Sequence, residues 1–140
     1  MSHPLDNFVF FGSSTFSIVV LDELAGSGFI PKLIVTAPSE KAGRKMQPRD
    51  PETKTWAEKR GIPIIQPVRL NEEAKETISA YQPTCLVVAS YGKIIPGNIL
   101  SLAQIGAFNI HPSLLPKYRG PSPLQSQILA DEKERGVSVI

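Results

Sequence analysis

The sequence contains only one cysteine, Cys85, which lies in the apolar run from Thr84 to Ala89. A single cysteine excludes a disulfide framework and favours a reducing compartment, so we predict a buried thiol in a cytoplasmic protein. Long apolar runs are also missing. No segment approaches the roughly 18 apolar residues of a membrane span, and Met1 to Asn7 has no apolar stretch of signal-peptide length. We therefore predict no membrane contact.

Charge and histidine are sparse as well. A net charge of +2 is too small for a general polyanion binder, so any contact with nucleic acid would need a local cluster of cations. His3 and His111 are the only histidines, and His3 lies in the terminal segment, so we predict no bound metal. With 140 residues, 41% of them hydrophobic and 20% charged, the composition is globular, and we predict one domain over residues 1–140.

Short apolar runs recur along the chain and predict strands. They are continuous instead of alternating, which is typical of central strands covered on both faces by helices. The runs are Phe8 to Phe11, Leu33 to Val35, Ile62 to Ile65, Leu86 to Ala89 and Ala107 to Ile110.

Helix start and stop signals lie between these runs. We predict that Asp50 caps a helix with Pro51 in its first turn and Gly61 at its end. Other helices are predicted at 14–25, from Asn71 to about residue 80, and from Ser122 to near residue 131. Strands that alternate with helices predict an α/β fold, with a Rossmann-like, doubly wound, mainly parallel sheet flanked by helices. Ligands of such sheets bind where loops leave the carboxyl ends of the strands.

Gly12-Ser13-Ser14 follows the first predicted strand and opens a helix. Free backbone amides at a helix start can bind an anion, although a tight turn that needs glycine explains the same residues equally well. There is neither a GxGxxG motif nor a Walker motif, so a dinucleotide or a nucleoside triphosphate is disfavoured.

Asn109 and His111 end the last long apolar run. Side chains alternate along a strand, so both should project from the same face. A lone histidine at a strand end is more often structural than catalytic, but an asparagine beside it can donate to a developing oxyanion while the histidine donates or shuttles a proton. Pro112 and the prolines that follow stiffen the next loop. The pair suits acyl transfer to an amine by direct attack of the substrate.

The run Asn109-Ile-His111-Pro-Ser-Leu-Leu-Pro-Lys-Tyr-Arg-Gly120 resembles the signature of the folate-dependent formyltransferases. The resemblance implies a Rossmann-like fold and 10-formyltetrahydrofolate as co-substrate. It implies that Asn109 and His111 are catalytic and stabilise the tetrahedral intermediate. It also implies folate contacts by two groups of residues, namely Ser113, Leu114, Leu115 and Pro116 after the last run, and the backbone of Ser90, Tyr91 and Gly92.

Within the family, the chain most resembles the members that formylate methionyl-tRNA for translation initiation. The similarity lies in Phe10 to Phe16, in the loop from Ala89 to Pro96, and in an insertion from Ala37 to Lys45. It implies that initiator methionyl-tRNA is the partner. The insertion would meet tRNA phosphates through its cations, Arg44 first and then Lys45, Lys41 and Arg49. Without the resemblance, an ordinary solvated loop would explain these charges.

The family's third catalytic residue is an aspartate on a loop after the next strand, which should begin here at about Gly136, and no residue of this chain matches it. Asp131 precedes that strand and is not assigned. We therefore expect this chain alone to be nearly inactive, without the C-terminal domain on the tRNA side. An uncovered sheet edge should favour self-association, whereas the full-length enzyme should be a monomer.

Two alternatives stay open at this point. One is a formyltransferase that acts on a small amine, such as an amino sugar or glycinamide ribonucleotide. The other is a non-catalytic module that binds folate or RNA.

Overall fold

A computed structural model of the chain describes residues 3–42, 47–113, 115 and 136–140. None of the helices in these ranges is both long and apolar enough to cross a membrane. The strands are β1 (Phe8–Phe11), β2 (Leu33–Val35), β3 (Glu40–Ala42), β4 (Gln47–Arg49), β5 (Ile64–Ile65), β6 (Cys85–Val88), β7 (Gly106–His111) and β8 (Ser138–Val139). The helices are α1 (Thr15–Gly26), α2 (Glu52–Arg60), α3 (Glu72–Ala80) and α4 (Gly97–Leu100), preceded by a 3-10 turn at Pro4–Asp6.

The main sheet has the strand order β5-β2-β1-β6-β7-β8. The strands from β5 to β7 in this order pair in parallel, and β8 pairs antiparallel with β7. The chain builds from β1 outward to β5, then continues on the other side of β1 with β6 and β7. The order thus reverses between β1 and β6, where such sheets bind ligands at the carboxyl ends of their strands. The predicted α/β, Rossmann-like, mainly parallel sheet is confirmed.

Helices cover both faces of this sheet. Phe10 lies in one buried cluster with Leu21 of α1 and Trp56 of α2, while Phe11 lies in a second cluster with Ile78 of α3. All of these residues are at most 5% exposed. Consecutive strand residues thus enter opposite layers of the core, which explains why the strands are continuously apolar in sequence.

The ends of α2 and α3 test the predicted helix signals. Gly61 ends α2 in the left-handed conformation, with φ 67°, and the side chain of Asn71 accepts from the Ala74 amide at the start of α3, both as predicted. The prediction that Asp50 caps α2 is wrong, because Pro51 holds the cap position. The Asp50 carboxylate instead accepts hydrogen bonds from Ser39 and Lys54.

Three strands differ in extent from the predicted runs, and one of them, β7, extends the run 107–110 by one residue at each end. The run 62–65 forms a strand only at Ile64–Ile65, because Pro63 has no N–H and takes part only as an acceptor from Ile34. The run 86–89 is shifted by one residue to Cys85–Val88, because Ser90 has a φ of 57° and turns the chain away from the sheet. The helix predicted from Ser122 lies outside the described residues.

Cys85 opens β6 and is fully buried, as predicted. Burial raises the pKa of its thiol, which keeps the sulfur protonated and unreactive at neutral pH. Its Sγ atom lies 3.7 Å from the carbonyl oxygen of Pro4, so the residue packs the amino-terminal turn against the sheet.

Candidate functional site

Asn109 and His111 both lie on β7, close to its carboxyl end. Asn109 is aligned with Val88 of the neighbouring strand β6, and Val88 is aligned with Phe11 of β1. Strand alternation therefore puts both side chains on the sheet face that bears α3 and α4. Asn109 is exposed and His111 is half-buried, so the asparagine amide is open to a ligand.

The backbone around this pair is held by β8. The Asn109 N–H donates to the carbonyl of Ile140 at 2.6 Å, and the Asn109 carbonyl accepts from the Ile140 N–H at 2.9 Å. His111 is aligned with Ser138 in the same antiparallel pair. Because hydrogen bonds fix both backbone groups of Asn109, its side chain leaves the sheet from a defined position.

The loop after β7 folds back onto β8 through one hydroxyl group. The Oγ atom of Ser138 donates to the carbonyl of Ser113 at 2.7 Å and accepts from the Leu115 N–H at 3.1 Å. Ser113 is buried, its N–H donates to the His111 carbonyl at 2.8 Å, and Leu115 is half-buried. The other predicted folate-contact residues of this loop, Leu114 and Pro116, lie outside the described residues. Sequence reasoning missed Ser138, because an isolated serine in a short strand carries no motif.

The loops after β1 and β6 are joined at the point where the strand order reverses. The Ser13 N–H donates to the Ser90 carbonyl at 3.0 Å, and the hydroxyl of Ser14 donates to that of Ser90 at 2.7 Å. The hydroxyl of Ser17 donates to the carbonyl of Ala89 in the core. These hydrogen bonds between the turn after β1 and the loop after β6 are called the seam below. The structure thus brings the turn after β1 into direct contact with the loop after β6.

Gly12 is required in this seam by close packing. A Cβ atom at this position would lie 2.5 Å from the carbonyl oxygen of Ala89, 2.5 Å from Oγ of Ser17 and 2.7 Å from a ring carbon of Phe10. Real contacts to a Cβ atom essentially never come this close. Of the two readings of Gly12-Ser13-Ser14 left open by sequence, this contact supports the tight turn that needs glycine.

The loop after β6 has an unusual backbone. Ser90 has a φ of 57° and Gly92 a φ of 83°, both in the left-handed region that disfavours side chains. Tyr91 between them is 4% exposed, and its ring packs edge to face on Phe11 at 5.4 Å. Burial raises the pKa of the Tyr91 hydroxyl, which has no hydrogen-bond partner among the described residues. With its ring in the core, Tyr91 can offer a ligand only backbone groups, and the contact of this loop with folate stays a prediction.

The predicted insertion forms an antiparallel hairpin, β3–β4, where the sequence suggested only a loop. Arg49 lies on β4 opposite Glu40 and is exposed. Lys41 lies on β3, where the structure describes its backbone alone. Arg44 and Lys45 lie outside the described residues. The hairpin is a separate two-stranded sheet at the carboxyl side of β2.

The structure also has a cleft of about 470 Å³ between the loop after β5 and the start of α3. Its lining includes Gln66, Arg69, Asn71 and Glu73, and none of the predicted site residues with described positions lies in it. Among the residues with described positions, no three His, Cys, Asp or Glu side chains lie together as a metal would need. The cleft and the Asn109–His111 pair are thus separate features of the fold.

Comparison with known proteins places the chain among the formyl transferases. The family model described as formyl transferase matches residues 6–140. Methionyl-tRNA formyltransferase of Thermotoga maritima is 42% identical over 132 residues, which cover 94% of this chain and 42% of that protein. The enzyme of the same name from Anaeromyxobacter dehalogenans is 39% identical with the same coverage. The chain therefore spans about two fifths of the length of these curated relatives.

Solved structures show the same fold. Phosphoribosylglycinamide formyltransferase from Streptococcus pneumoniae superposes with a TM-score of 0.70 at 19% identity, over 96% of this chain and 72% of that one. A formyltetrahydrofolate deformylase from Pseudomonas syringae pv. tomato gives 0.65 at 17% identity, over 95% of this chain and 44% of that one. At this identity the likeness concerns the fold alone, whereas the family model covers nearly all residues of the chain. The chain belongs to the formyl transferase family.

Proposed function

We propose that this chain supplies the first part of a site that transfers the formyl group of 10-formyltetrahydrofolate to the amino group of initiator methionyl-tRNA. The observation that carries the proposal is the placement of Asn109 and His111 on one face of β7, at the carboxyl edge of the sheet. The neighbouring strand, β6, is followed by the loop that bonds to the turn after β1, at the point where the strand order reverses.

Asn109 and His111 act on the tetrahedral intermediate. The methionyl nitrogen attacks the formyl carbon, a new carbon–nitrogen bond forms, and negative charge develops on the formyl oxygen. The amide of Asn109 and the imidazolium of His111 donate hydrogen bonds to that oxygen. When the bond from carbon to folate N10 breaks, the His111 imidazolium gives a proton to N10, and the imidazole then takes up the proton released by the attacking amine. A single oxyanion donor of this kind contributes about 100- to 1000-fold in rate.

Folate would lie between the loops after β6 and β7. Ser90 and Gly92, both exposed and left-handed, lie in the first loop, and the buried Ser113 lies in the second. Since the Ser90 carbonyl already accepts from Ser13, the pterin would use other backbone groups of residues 90–92. Pterins carry donors and acceptors along one edge, which suits recognition by a rigid run of backbone groups.

The hairpin β3–β4 supports tRNA as the acceptor. It carries Lys41 and Arg49 on its strands, and Arg44 and Lys45 lie in the connecting residues. A net charge of +2 gives little general attraction for RNA, so a local group of cations would supply the phosphate contacts. Relatives named methionyl-tRNA formyltransferase that match 94% of this chain point to the same acceptor.

The test is a formylation assay with a choice of acceptors. The enzyme is a chimera that continues after Ile140 with the remaining sequence of the Thermotoga maritima relative, and the 140-residue chain is measured beside it. Each receives 10-formyltetrahydrofolate with methionyl initiator tRNA, glycinamide ribonucleotide or an amino sugar nucleotide. We expect the chimera to formylate methionyl-tRNA alone, and the isolated chain to be nearly inactive. Formylation of a small amine but not of the tRNA would refute the acceptor, and binding of folate without any turnover would favour the non-catalytic module.

The cations of the hairpin can be tested in the same chimera. Arg44→Ala should raise the KM for tRNA, leave the KM for folate unchanged, and lower the dependence of log affinity on log salt by about one unit. Lys59→Ala, which removes an exposed cation from the last turn of α2, is the matched control. Equal effects of the two substitutions would make the hairpin an ordinary charged loop.

A further inference from the structure

The chain enters the hairpin β3–β4 at residues 37–39 and leaves it at Asp50, and these segments are called its stem. Side chains that are not among the predicted site residues connect the stem to the rest of the fold by hydrogen bonds. The hydroxyl of Ser39, just before β3, donates to Oδ1 of Asp50, just after β4. Lys54 on the first turns of α2 donates to the same carboxylate oxygen at 3.3 Å. These bonds close the hairpin at its base and tie it to α2.

Gln66 ties the same base to the main sheet. It follows β5, and its side-chain amide nitrogen lies 3.1 Å from the carbonyl oxygen of Ala37 and 3.1 Å from Oγ of Ser39. A single amide thus donates to the chain that enters the hairpin and to the hydroxyl that closes it. Because Gln66 is half-buried at the edge of the sheet, it is a fixed point from which the stem is held.

A second set of hydroxyl groups lies directly below the stem. The N–H of Ala37 donates to Oγ of Ser13 at 2.9 Å, and the Thr36 hydroxyl donates to the same oxygen at 3.2 Å. Thr36 and Thr53 are fully buried and their hydroxyl oxygens lie 2.6 Å apart. The segment that enters the hairpin is thereby bound to the turn after β1 and to α2, so its first residues cannot swing freely.

Asp50 is ionised at neutral pH, so its carboxylate can accept the hydrogen bonds of Ser39 and Lys54. The hydrogen bond from Ser39 is the main cause that holds the pKa of Asp50 below its usual value, and the hydrogen bond from Lys54 is the next. The carboxylate therefore keeps both donors throughout the neutral range.

We propose that Ser39, Asp50 and Gln66 are positioning residues that hold the β3–β4 hairpin in one orientation for a tRNA acceptor. The proposal rests on the function proposed above for the hairpin cations, and it assigns to these three residues a part in acceptor binding without contact to the reacting atoms. A hairpin of two three-residue strands is marginal by itself, so the contacts at its base decide how well it is ordered. An ordered hairpin meets its partner without the entropic cost of fixing it on binding.

Ser39→Ala is the first test, because it removes the hydroxyl that connects Gln66 with Asp50. Gln66→Met is the second, since it keeps the length of the side chain without its amide. Ser39→Thr restores a hydroxyl and should restore the wild-type values. Ser101→Ala is the matched control, because its hydroxyl is exposed and, among the described residues, donates to the Asn98 carbonyl within the end of α4.

Two readouts separate the positioning role from the chemistry. In the 140-residue chain, hydrogen exchange of the hairpin amides should become about fivefold faster in Ser39→Ala, the effect of one hydrogen bond of ordinary strength. In the chimera, the KM for charged tRNA should rise by a similar factor, while kcat and the KM for folate change less than twofold.

Either readout can overturn the proposal. Unchanged exchange of the hairpin in both Ser39→Ala and Gln66→Met would show that these residues do not hold it. Faster exchange with an unchanged KM for tRNA would show that its orientation does not govern acceptor binding. If the unsubstituted chimera formylates only a small amine, the tRNA-binding function proposed for the hairpin is wrong as well. The hydrogen-exchange result still decides whether Ser39, Asp50 and Gln66 hold the hairpin.

Discussion

The hydroxyl oxygens of Ser14 and Ser90 lie 2.7 Å apart and join the start of α1 to the loop after β6. Beside them the Ser13 N–H donates to the Ser90 carbonyl at 3.0 Å. Ser90 adopts a φ of 57°, a conformation that costs roughly 1–2 kcal/mol for a residue with a side chain. The seam between these loops therefore stabilises a strained turn at the edge where the folate is proposed to bind.

The Ser14–Ser90 hydrogen bond should be measurable by a double-mutant cycle. Ser14→Ala and Ser90→Ala are each expected to lower the free energy of unfolding, with a coupling energy of about 0.5–1.5 kcal/mol because both remove the same bond. Urea denaturation of the wild type, the two single variants and the double variant gives this value. Additive effects would show that the two hydroxyls do not interact in solution.

Gly12 should tolerate no side chain. In Gly12→Ala the new methyl group would lie 2.5 Å from the Ala89 carbonyl oxygen, so we expect the free energy of unfolding to fall by roughly 1–3 kcal/mol as the turn is forced away from β6. Gly26→Ala is the matched control, because nothing lies within 4 Å of its added Cβ and it ends a helix. Gly26→Ala should leave the free energy of unfolding unchanged or raise it by up to about 1 kcal/mol. Comparable losses at both positions would refute the packing argument.

Tyr91→Phe should be neutral or stabilising at neutral pH. The tyrosine hydroxyl is buried and has no partner among the described residues, so its removal recovers a desolvation cost of up to about 1 kcal/mol. Thr36→Val makes the opposite case, since its hydroxyl is bonded to Thr53 and Ser13, and we expect it to cost roughly 1–3 kcal/mol. A clear loss of stability in Tyr91→Phe would show that the phenol has a partner in solution.

The same tyrosine predicts a dependence of stability on alkaline pH. In the unfolded chain it ionises near its ordinary pKa of 10.0, whereas burial raises the pKa of Tyr91 in the folded protein. Ionisation of Tyr91 therefore leaves the free energy of unfolding unchanged below about pH 10 and lowers it as the pH rises from there toward the folded pKa. Wild type should lose stability relative to Tyr91→Phe above about pH 10, and parallel curves for the two proteins would contradict this.

Much of the fold could be predicted because its signals are local. The continuous apolar runs of β1 and β2 indicate burial on both faces, and Asn71 and Gly61 mark the helix ends where the structure has them. The placement of Asn109 and His111 on one face of a strand could be predicted from strand alternation. These features depend on residues a few positions apart, so no tertiary contact was needed to find them.

The rest depends on contacts between distant residues. Asp50 follows the sequence rule for a helix cap, but Ser39 and Lys54 bind its carboxylate and Pro51 takes the cap position. No sequence motif marks the hydrogen bonds of Gln66 to Ser39 or of Ser138 to Ser113, because each bond joins residues that are more than 20 positions apart in the chain. The left-handed Ser90 is held by the β1 turn, which no local propensity reveals.

The role of Asn109 on β7 as a donor to the oxyanion is the basis of the proposed reaction. It is tested most directly by the single-turnover rate at which the chimera formylates methionyl-tRNA with Asn109→Ala, beside Asn98→Ala, which alters an exposed asparagine in α4. We expect Asn109→Ala to lower the rate by about 100- to 1000-fold with little change in the KM for tRNA, and Asn98→Ala to match the wild type. An Asn109→Ala chimera that keeps its wild-type rate would contradict the account.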